Sequence, residues 1–340
     1  MIRLHILLAI CASSLFTNGS AVAQSQSFVS IDVDGLNRRY LRYLPKGFDP
    51  SEKLPVMMWF HGGGGNADGG VFEADFRSLA NSERFILVYP EAWPDELEAC
   101  RCWGYDTGEG EANGNYEIDL AYASAMIDDL VANQNADRDR IYAGGYSMGA
   151  SFVWDLACAR SDQFAAIAPV AASMYLWTYE ECSAGQPTAV CHILGTNDFY
   201  APYNGASWVP SVADQNAYWV DKNEAEVDPE VVSIGGGVTR YTWAPAEGCH
   251  GFQHFRRQGG GHDVPSFATS AIWDFVSQYD IDGEIECGPD AIPGDLNGDG
   301  LVNAADLGLL VAAWSTPNAD INGDGTTNSA DLGLLVANWS

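Results

Sequence analysis

Residues 140–159 read RIYAGGYSMGASFVWDLACA, and this stretch decides the fold. Its apolar start, 140–144, is typical of a buried strand, and 150–159 has the composition of a helix. Between them, GYSMG at 145–149 fits the Gly-x-Ser-x-Gly pattern, in which a serine occupies a tight turn from strand to helix. A chance glycine-rich turn would match the bare pattern equally well. The flanking strand and helix favour a nucleophilic Ser147, with the helix N-terminus stabilising negative charge beside it.

The remainder of the body alternates in the same way between short apolar runs and helical segments. Such alternation implies a mainly parallel sheet covered by helices on both faces, which is an α/β fold. The predicted strands are 28–33, 38–44, 56–60, 85–89, 140–144, 164–170 and 189–194, and the predicted helices are 118–131, 150–159 and 270–279.

A serine hydroxyl is a poor nucleophile until a base takes its proton, and that base needs a carboxylate to orient it. Asp198 follows the apolar run 189–194 through Gly-Thr-Asn, which places it at the carboxyl end of a strand. His262 follows three glycines and stands in a loop before the last helix. The order serine, acid, histidine therefore predicts a triad of Ser147, Asp198 and His262.

Other acids and histidines in the same half of the chain have a plainer interpretation. Asp214, Asp221 and Asp228 lie in a polar stretch and are expected to be solvated at the surface. His250 and His254 are expected in surface or loop positions.

An early glycine-rich loop is the candidate oxyanion hole. The sequence HGGGG at 61–65 ends a predicted strand, as the oxyanion loop of lipases and esterases does. Glycines let backbone N–H groups point at a carbonyl oxygen without an intervening side chain. The expected donors are the amide of Met148 and that of Gly63 or Gly64. A phosphate-binding loop is the alternative, but the Lys-Ser/Thr that it requires is missing.

Taken together, these motifs resemble the secreted polyhydroxybutyrate depolymerase and feruloyl esterase family of α/β-hydrolases, over most of residues 28–280. The resemblance rests on segments 61–66, 145–149, 195–198 with 202–203, and 259–265, and the family's triad maps onto Ser147, Asp198 and His262. Phe199 and Tyr200 stand where the family has a more polar stretch. The resemblance implies a serine esterase acting on feruloyl or acetyl esters of a polysaccharide, or on a hydroxyalkanoate polyester. The family commonly has a Trp two positions after the histidine, where this chain has Val264.

Aromatic residues in predicted loops near strand ends are candidate substrate contacts. An aromatic rim suits a phenolic acyl group or a polymer surface, although each aromatic taken alone is more often part of a core. The first candidates are Trp103, Tyr200 and Trp208, followed by Trp93, Tyr105, Tyr175, Trp177 and Tyr203.

The C-terminal segment repeats itself and contains no Lys or Arg. DLNGDG at 295–300 returns as DINGDG at 320–325, and each copy precedes an apolar helical stretch. Alternating oxygen-bearing residues around a glycine turn are what a calcium loop requires. Two Ca²⁺ ions are therefore expected, and none for catalysis. The expected ligands are Asp295, Asn297, Asp299, Leu301 (carbonyl), Asn303 and Asp306 in the first loop and Asp320, Asn322, Asp324, Thr326 (carbonyl), Asn328 and Asp331 in the second.

This pair of repeats resembles a type I dockerin, which implies a cohesin on a scaffold protein as partner. The helices lack the Lys-Arg of the cellulosomal pattern, so a different cohesin, cell-surface attachment and intramolecular docking all stay open.

The N-terminus reads as a secretory signal, with Arg3, an apolar core at 4–16 and the cleavage sequence AVA at 21–23. The chain then divides into a signal (1–23), a catalytic domain (24–282), a linker (283–293) and the calcium-loop module (294–340). An exported protein with seven cysteines beyond the signal is expected to form disulfides and to leave one cysteine over.

The charge balance excludes some partners. The 340 residues carry 46 Asp and Glu against 16 Lys and Arg, a net charge of −30. Nucleic acid or an anionic membrane would require clustered bases. A catalytically silent binding module delivered by the tail is the alternative from another class, although the intact serine, acid, histidine and glycine motifs favour an esterase.

Overall fold

A computed structural model describes residues 25–94, 100–104, 116–182, 185–246, 249–285, 287, 293–297, 301–322 and 325–340. The predicted signal and most of the predicted linker lie outside the described residues. So do Tyr105, Asp299 and Asp324.

Ten strands of the described chain form one sheet, in the order β1-β2-β4-β3-β5-β6-β7-β10-β9-β8. The six central strands, β4, β3, β5, β6, β7 and β10, run parallel to one another. At the two edges of the sheet, β1 and β2 on one side and β9 and β8 on the other pair antiparallel. The strands are β1 (Ser25–Val33), β2 (Leu36–Leu44), β3 (Leu54–Phe60), β4 (Ile86–Pro90), β5 (Ala136–Tyr146), β6 (Ala166–Val170), β7 (Ala189–Gly195), β8 (Glu230–Gly235), β9 (Val238–Trp243) and β10 (Phe252–Arg257).

Helices cover both faces of this sheet and create two cores. Strand β3 shows why: all seven of its residues are buried, with Met58 in one core and Met57 in the other. The helices of the body are α1 (Ala67–Glu73), α2 (Arg77–Glu83), α3 (Tyr116–Gln134), α4 (Met148–Ala159), α5 (Leu176–Glu181), α6 (Val212–Lys222) and α7 (Ala268–Val276). Residues of α3, α4 and α6 join the first core, and residues of α2 and α7 join the second. The predicted α/β architecture is confirmed.

Strands β8, β9 and β10 extend the sheet beyond the elements that the sequence predicted. Strand β10 reads FQHFRR, and its polar residues conceal a strand that is paired on both edges, with β7 and with β9. The expectation that His254 lies at the surface or in a loop is therefore wrong, whereas His250 does lie in the loop before β10. Both side chains are buried, with an exposed fraction of 4% for His250 and of 1% for His254, whose strand lies between two neighbours and below α6.

The C-terminal module contains α8 (Ala304–Ala312) and α9 (Ser329–Ala337) around a small core. A two-stranded ribbon, β11 (Tyr279–Asp280) with β12 (Gly283–Glu284), precedes it in the chain. The buried apolar residues of the module are Val302, Leu310, Ala319 and Leu335.

Six of the described cysteines form disulfides, as expected for an exported chain, and one is left over. The pairs are Cys100–Cys102, Cys158–Cys182 and Cys249–Cys287, and Cys191 is a buried free thiol. Among the helices of the described ranges, none has the length and apolarity needed to cross a bilayer.

Candidate active site

The turn after β5 places Ser147 at the N-terminus of α4. Its backbone φ of +53° lies in the left-handed region that non-glycine residues seldom adopt, and its N–H donates to the carbonyl of Val170 at 3.0 Å. Glycine at position 149 is a steric requirement, because a Cβ there would lie 2.1 Å from the carbonyl oxygen of Phe60. The packing of the helix against β3 thus holds the serine above the sheet.

The three residues predicted as a triad come together in the structure. The distance from Ser147 Oγ to His262 Nε2 is 2.7 Å, and His262 Nδ1 lies 2.9 Å and 3.0 Å from the two oxygens of Asp198. An ionised carboxylate only accepts, so Nδ1 carries the proton and Nε2 is left to accept from the serine hydroxyl. This arrangement can activate Ser147 as a nucleophile.

Asp198 is held in place by backbone hydrogen bonds as well as by its contact with His262. The residue is 5% exposed, and its Oδ1 accepts the backbone N–H groups of Tyr200 and Ala201, both at 2.9 Å. These two N–H donors fix the direction of the carboxylate.

The loop that carries His262 is held from both sides. The Tyr146 hydroxyl donates to the His262 carbonyl at 2.9 Å, and the Tyr200 ring lies 4.7 Å from the imidazole. A Cβ at Gly195 would lie 2.2 Å from the carbonyl oxygen of Gly260, so the strand end and the histidine loop approach backbone to backbone. That close contact fixes the spacing between acid and base.

The glycine loop after β3 donates most of its amides to the protein. Gly62 donates to Glu73 Oε1 at 3.0 Å, Gly64 to the Arg101 carbonyl at 2.9 Å, and Gly65 to the Gly62 carbonyl at 3.0 Å. Within the described contacts, Gly63 N–H is the member of this loop without a protein acceptor. Met148 is the first residue of α4, so its N–H is one of the amides that have no intrahelical partner.

His61 fixes the start of the same loop. The Ala92 N–H donates to His61 Nε2 at 3.2 Å, so the ring proton is on Nδ1, which donates to the Gly62 carbonyl at 2.7 Å. Burial lowers the pKa of His61, which keeps the ring neutral in this role.

A short segment at 100–104 packs against the glycine loop and hydrogen-bonds to it, a contact that the sequence did not indicate. The Trp103 indole donates to the His61 carbonyl at 2.8 Å, and Gly104 N–H donates to Asp119 Oδ2 at 2.8 Å. The other oxygen of Asp119 pairs with the fully buried Arg38 at 2.7 Å. Trp103, predicted as a substrate contact, is completely buried against Phe60 and is part of the core instead.

Glu73 is a second residue that the sequence did not single out. Its two oxygens accept the N–H of Gly62 at 3.0 Å and the indole N–H of Trp59 at 3.2 Å. Burial raises the pKa of Glu73 to about 7, although the two N–H donors act in the opposite direction. A carboxyl that titrates near neutrality is therefore bonded directly to the glycine loop.

The other aromatic candidates divide by exposure. Tyr200 is 70% exposed beside the imidazole, and its neighbour Phe199 is 83% exposed. Trp208 is half exposed, and none of the described contacts joins it to the triad. Tyr203 points elsewhere, with its hydroxyl 2.8 Å from His254 Nε2. Tyr200 is thus an exposed aromatic surface beside the imidazole, and Phe199 extends it, with 5.7 Å between the two ring centroids.

The predicted calcium ligands lie on two similar loops of the tail. Asp306 accepts the N–H groups of Leu296, Asn297 and Asn303. Asp331 does the same for Ile321, Asn322 and Asn328. Burial alone would raise the pKa of these two carboxyls, but their backbone N–H donors lower it by more. The pKa of each is therefore below its ordinary value.

The oxygen set of these loops has the chemistry that a hard cation prefers. Carboxylate, amide and carbonyl oxygens are present, and a carboxylate that accepts three N–H bonds keeps acceptor capacity for a metal. In the part of the chain that the structure describes, no group of three or more His, Cys, Asp or Glu is assembled as a metal site. Asp299 and Asp324 are outside that part.

Two family models match the chain. "Esterase PHB depolymerase" matches residues 38–186, which include Ser147 and the glycine loop, and "Dockerin type I domain" matches residues 293–338. The resemblances stated from the residues are confirmed at this level.

Among curated proteins, the chain is 26% identical over 261 residues to a bifunctional acetylxylan esterase/xylanase of Neocallimastix patriciarum. That match covers 74% of this chain and 35% of the relative, so the chain spans about a third of that relative's length. Feruloyl esterase C of Emericella nidulans is 25% identical over 294 residues, covering 81% of this chain and 98% of the relative. By name, both relatives are carboxylic ester hydrolases.

Among solved structures, the chain is similar to an acetyl xylan esterase from Aspergillus awamori. The TM-score is 0.55 at 14% sequence identity, over 74% of this chain and 99% of the other. This likeness supports the predicted α/β-hydrolase fold.

Proposed function

We propose that this chain is an exported serine esterase that hydrolyses carboxylic esters of a polysaccharide, most directly feruloyl esters, and carries a calcium-dependent docking tail. The observation that carries the proposal is the hydrogen-bonded series Ser147–His262–Asp198, with 2.7 Å between serine and imidazole. The esterase family match and the names of the relatives support the reaction class.

The reaction begins when Ser147 Oγ attacks the ester carbonyl while His262 Nε2 takes the hydroxyl proton. Asp198 keeps the imidazole oriented and stabilises its positive charge. His262 then gives the proton to the leaving alcohol, and the C–O bond of the ester breaks to form an acyl-serine. Water, deprotonated by His262, then attacks the acyl carbon, the acyl–Oγ bond breaks, and His262 returns the proton to Ser147 Oγ as the acid leaves.

Negative charge on the carbonyl oxygen is stabilised by backbone N–H groups. The amides of Met148 and Gly63 are the proposed pair, because Gly64 already donates to Arg101. Losing one such donor typically costs a factor of about 10² or more in kcat.

The proposed substrate class comes from the names of the relatives together with the exposed aromatics. Tyr200 offers apolar surface next to His262, extended by Phe199, which suits a phenolic acyl group. Hydrolysis of a hydroxyalkanoate polyester is the second candidate, which the name of the matched esterase family favours.

The tail is proposed to bind two calcium ions and a cohesin-type partner. Asp295, Asn297, Asn303 and Asp306 would hold the first ion, and Asp320, Asn322, Asn328 and Asp331 the second, with Asp299, Asp324 and the carbonyls of Leu301 and Thr326. The dockerin match supports this and, with the predicted signal, an extracellular location.

The test is hydrolysis of p-nitrophenyl acetate and methyl ferulate by the full chain, beside a polyhydroxybutyrate film. We expect turnover of both small esters and a loss of about 10⁴-fold or more in Ser147→Ala. Ser270→Ala is the matched control and should keep full activity, because Ser270 is exposed on α7 and its hydroxyl donates to the Phe267 carbonyl. Absence of turnover in the folded protein would support the silent binding module, and clearing of the film alone would favour the polyester.

A further inference from the structure

The disulfide between Cys100 and Cys102 lies against the glycine loop of the ester site. Its cysteines stand two positions apart in the chain, so the bond closes a small ring around Arg101. The other two disulfides of the described chain span 24 and 38 positions. In the chain-entropy account, a disulfide stabilises the fold more when it closes a longer loop. Of the three bonds, this one is therefore expected to contribute least to global stability, and its effect is local.

Two consecutive residues of the disulfide segment contact two consecutive residues of the glycine loop. The carbonyl of Arg101 accepts the N–H of Gly64 at 2.9 Å. Beside it, Cys102 Sγ lies 3.7 Å from the position that a Cβ on Gly63 would take. The ring thus holds one loop residue by a hydrogen bond and packs a sulfur atom on the other.

Gly63 is the loop residue whose position matters most for the proposed reaction. Its N–H is a proposed oxyanion donor, and within the described contacts it has no protein acceptor. A Cβ on Gly63 would also lie 3.5 Å from Met148 Sδ, so the Met148 side chain is a second neighbour. The N–H of Met148 is the other proposed donor. The disulfide therefore lies directly beside the pair of amides that the reaction needs.

The ring also restricts the backbone of Arg101. A residue inside a small closed ring has fewer accessible backbone conformations than one in an open chain. The Arg101 backbone forms an isolated bridge with Pro94, and its guanidinium lies 3.1 Å from Glu91 Oε1. Those contacts hold Arg101 from the side of 91–94. The disulfide adds a covalent link between the carbonyl that binds Gly64 and the sulfur that packs on Gly63.

We propose that the Cys100–Cys102 disulfide positions the oxyanion loop, so that the ester site is complete only in the oxidised protein. The inference rests on the proposed function, because it assigns the bond a role at the same site. When the bond forms, the two thiols give up two protons and two electrons, which reduce a disulfide oxidant to two thiols. In the reverse reaction, a dithiol reduces the bond to two thiols and is itself oxidised to a disulfide.

This dependence would couple activity to export. Cytosolic thiols are kept reduced, whereas disulfides persist outside the cytoplasm. Before export, the Arg101 carbonyl and the Cys102 sulfur could move independently, and the N–H of Gly63 would be less well aimed. Full esterase activity would then appear only after oxidation.

The test removes this bond from the full chain by Cys100→Ala together with Cys102→Ala. The matched control removes a longer-range disulfide by Cys158→Ala together with Cys182→Ala. With p-nitrophenyl acetate, we expect kcat of the first double variant to fall by about ten- to a hundredfold while KM stays within about twofold. The control should keep the parent kcat, and its thermal midpoint should fall further than that of the first double variant.

A transition-state analogue separates positioning from a general loss of structure. Ser147 adds to the carbonyl of a trifluoromethyl ketone, and the resulting anionic oxygen needs the same N–H donors as the ester intermediate. Affinity for the ketone should therefore fall by the same factor as kcat/KM in the first double variant. A purely structural role would lower the fraction of active protein and leave the ketone affinity of that fraction unchanged.

Reduction tests the same bond without a substitution. The parent is treated with dithiothreitol until alkylation and mass spectrometry show Cys100 and Cys102 as thiols. Its kcat should then fall to the level of the first double variant and return on reoxidation. That variant, treated in the same way, controls for the other disulfides and should lose no further activity.

Two results would overturn the inference and leave the esterase proposal intact. One is a parent kcat and ketone affinity in the protein that lacks Cys100 and Cys102. The other is an equal loss of kcat in both double variants. If the parent itself turns over no ester, the proposed function fails and this inference fails with it.

Discussion

The two parts of the molecule build their sites in opposite ways. In the body, Asp198 is oriented by backbone N–H groups and His262 is fixed by Tyr146, so contacts within the protein hold the predicted triad in its geometry. In the tail, the predicted ligands stand on short loops around a core with only four buried apolar residues among those described. A core of that size provides little stability of its own.

The carboxylates of the tail also differ in what they bond. Asp306 and Asp331 accept N–H groups from the loop and the helix start, so each joins the two halves of its repeat. A metal bound by the same repeat would add its binding free energy to the folding free energy. We therefore expect the body to be indifferent to metal and the tail to depend on it.

The sharpest test of a pre-formed body site is Asp198→Asn. The amide would turn an N–H group toward His262 or favour the wrong tautomer, so kcat should fall by about 10³- to 10⁴-fold without loss of stability. Turnover of p-nitrophenyl acetate and the thermal midpoint measure the two effects.

Asp228→Asn is the matched control, since Asp228 is another acid that follows Ser147 in the chain and it is exposed. It should leave kcat within about twofold of the parent. A comparable loss of kcat in both variants would mean that the acid of the triad is misassigned.

Calcium removal tests the other half of the comparison. A chelator should unfold the tail, seen as a loss of amide protection in α8 and α9, while p-nitrophenyl acetate turnover stays unchanged. Calcium at about 100 times its Kd should stabilise the tail by about 2.7 kcal/mol per site.

Asp295→Ala and Asp320→Ala should each abolish one calcium site in a titration that otherwise counts two. Asp280→Ala, on the ribbon before the tail, is the control and should keep both. Full protection of α8 and α9 in the presence of chelator would remove the contrast between the two parts of the molecule.

The sequence predicted those features that depend on local pattern. The residues next to Ser147 in the chain are enough to identify its turn. In the tail, the two copies of the repeat identify the loops, because they share the same spacing. Asp198 and His262 were reachable because a strand end and a glycine-rich loop mark them in the chain.

Features that depend on distant contacts were not predictable in this way. Trp103 looked like a loop aromatic, but Phe60 and the His61 carbonyl bury it. His254 looked like a surface residue, because the pairing of β10 with β7 and β9 cannot be read from FQHFRR. Glu73 becomes significant only when α1 brings it to Gly62.

Glu73 yields the smallest predicted effect, and it tests how far the pre-formed site depends on pH. Its folded pKa of about 7 exceeds the ordinary 4.5, so the folded state retains a proton that the unfolded state releases. The stability contributed by Glu73 is therefore complete below about pH 4.5 and is lost as the pH rises through 7. The glycine loop, by contrast, is held best by the ionised carboxylate, because the N–H groups of Gly62 and Trp59 each need one of its two oxygens as acceptor.

Glu73→Gln offers one acceptor to those two donors, so we expect kcat/KM to fall by a factor of about 3 to 10 above pH 8. Near pH 6, where the parent carboxyl is mostly protonated, the two enzymes should converge. The ratio of their kcat/KM values at each pH cancels effects common to both enzymes and so isolates Glu73. In Trp59→Phe the competing indole donor is gone, so adding Glu73→Gln there should cost less than it does in the parent. If the ratio of kcat/KM between the parent and Glu73→Gln does not vary with pH, Glu73 only fills space. If the two enzymes converge at low pH and Glu73→Gln costs less in Trp59→Phe, Glu73 positions the loop through its charge.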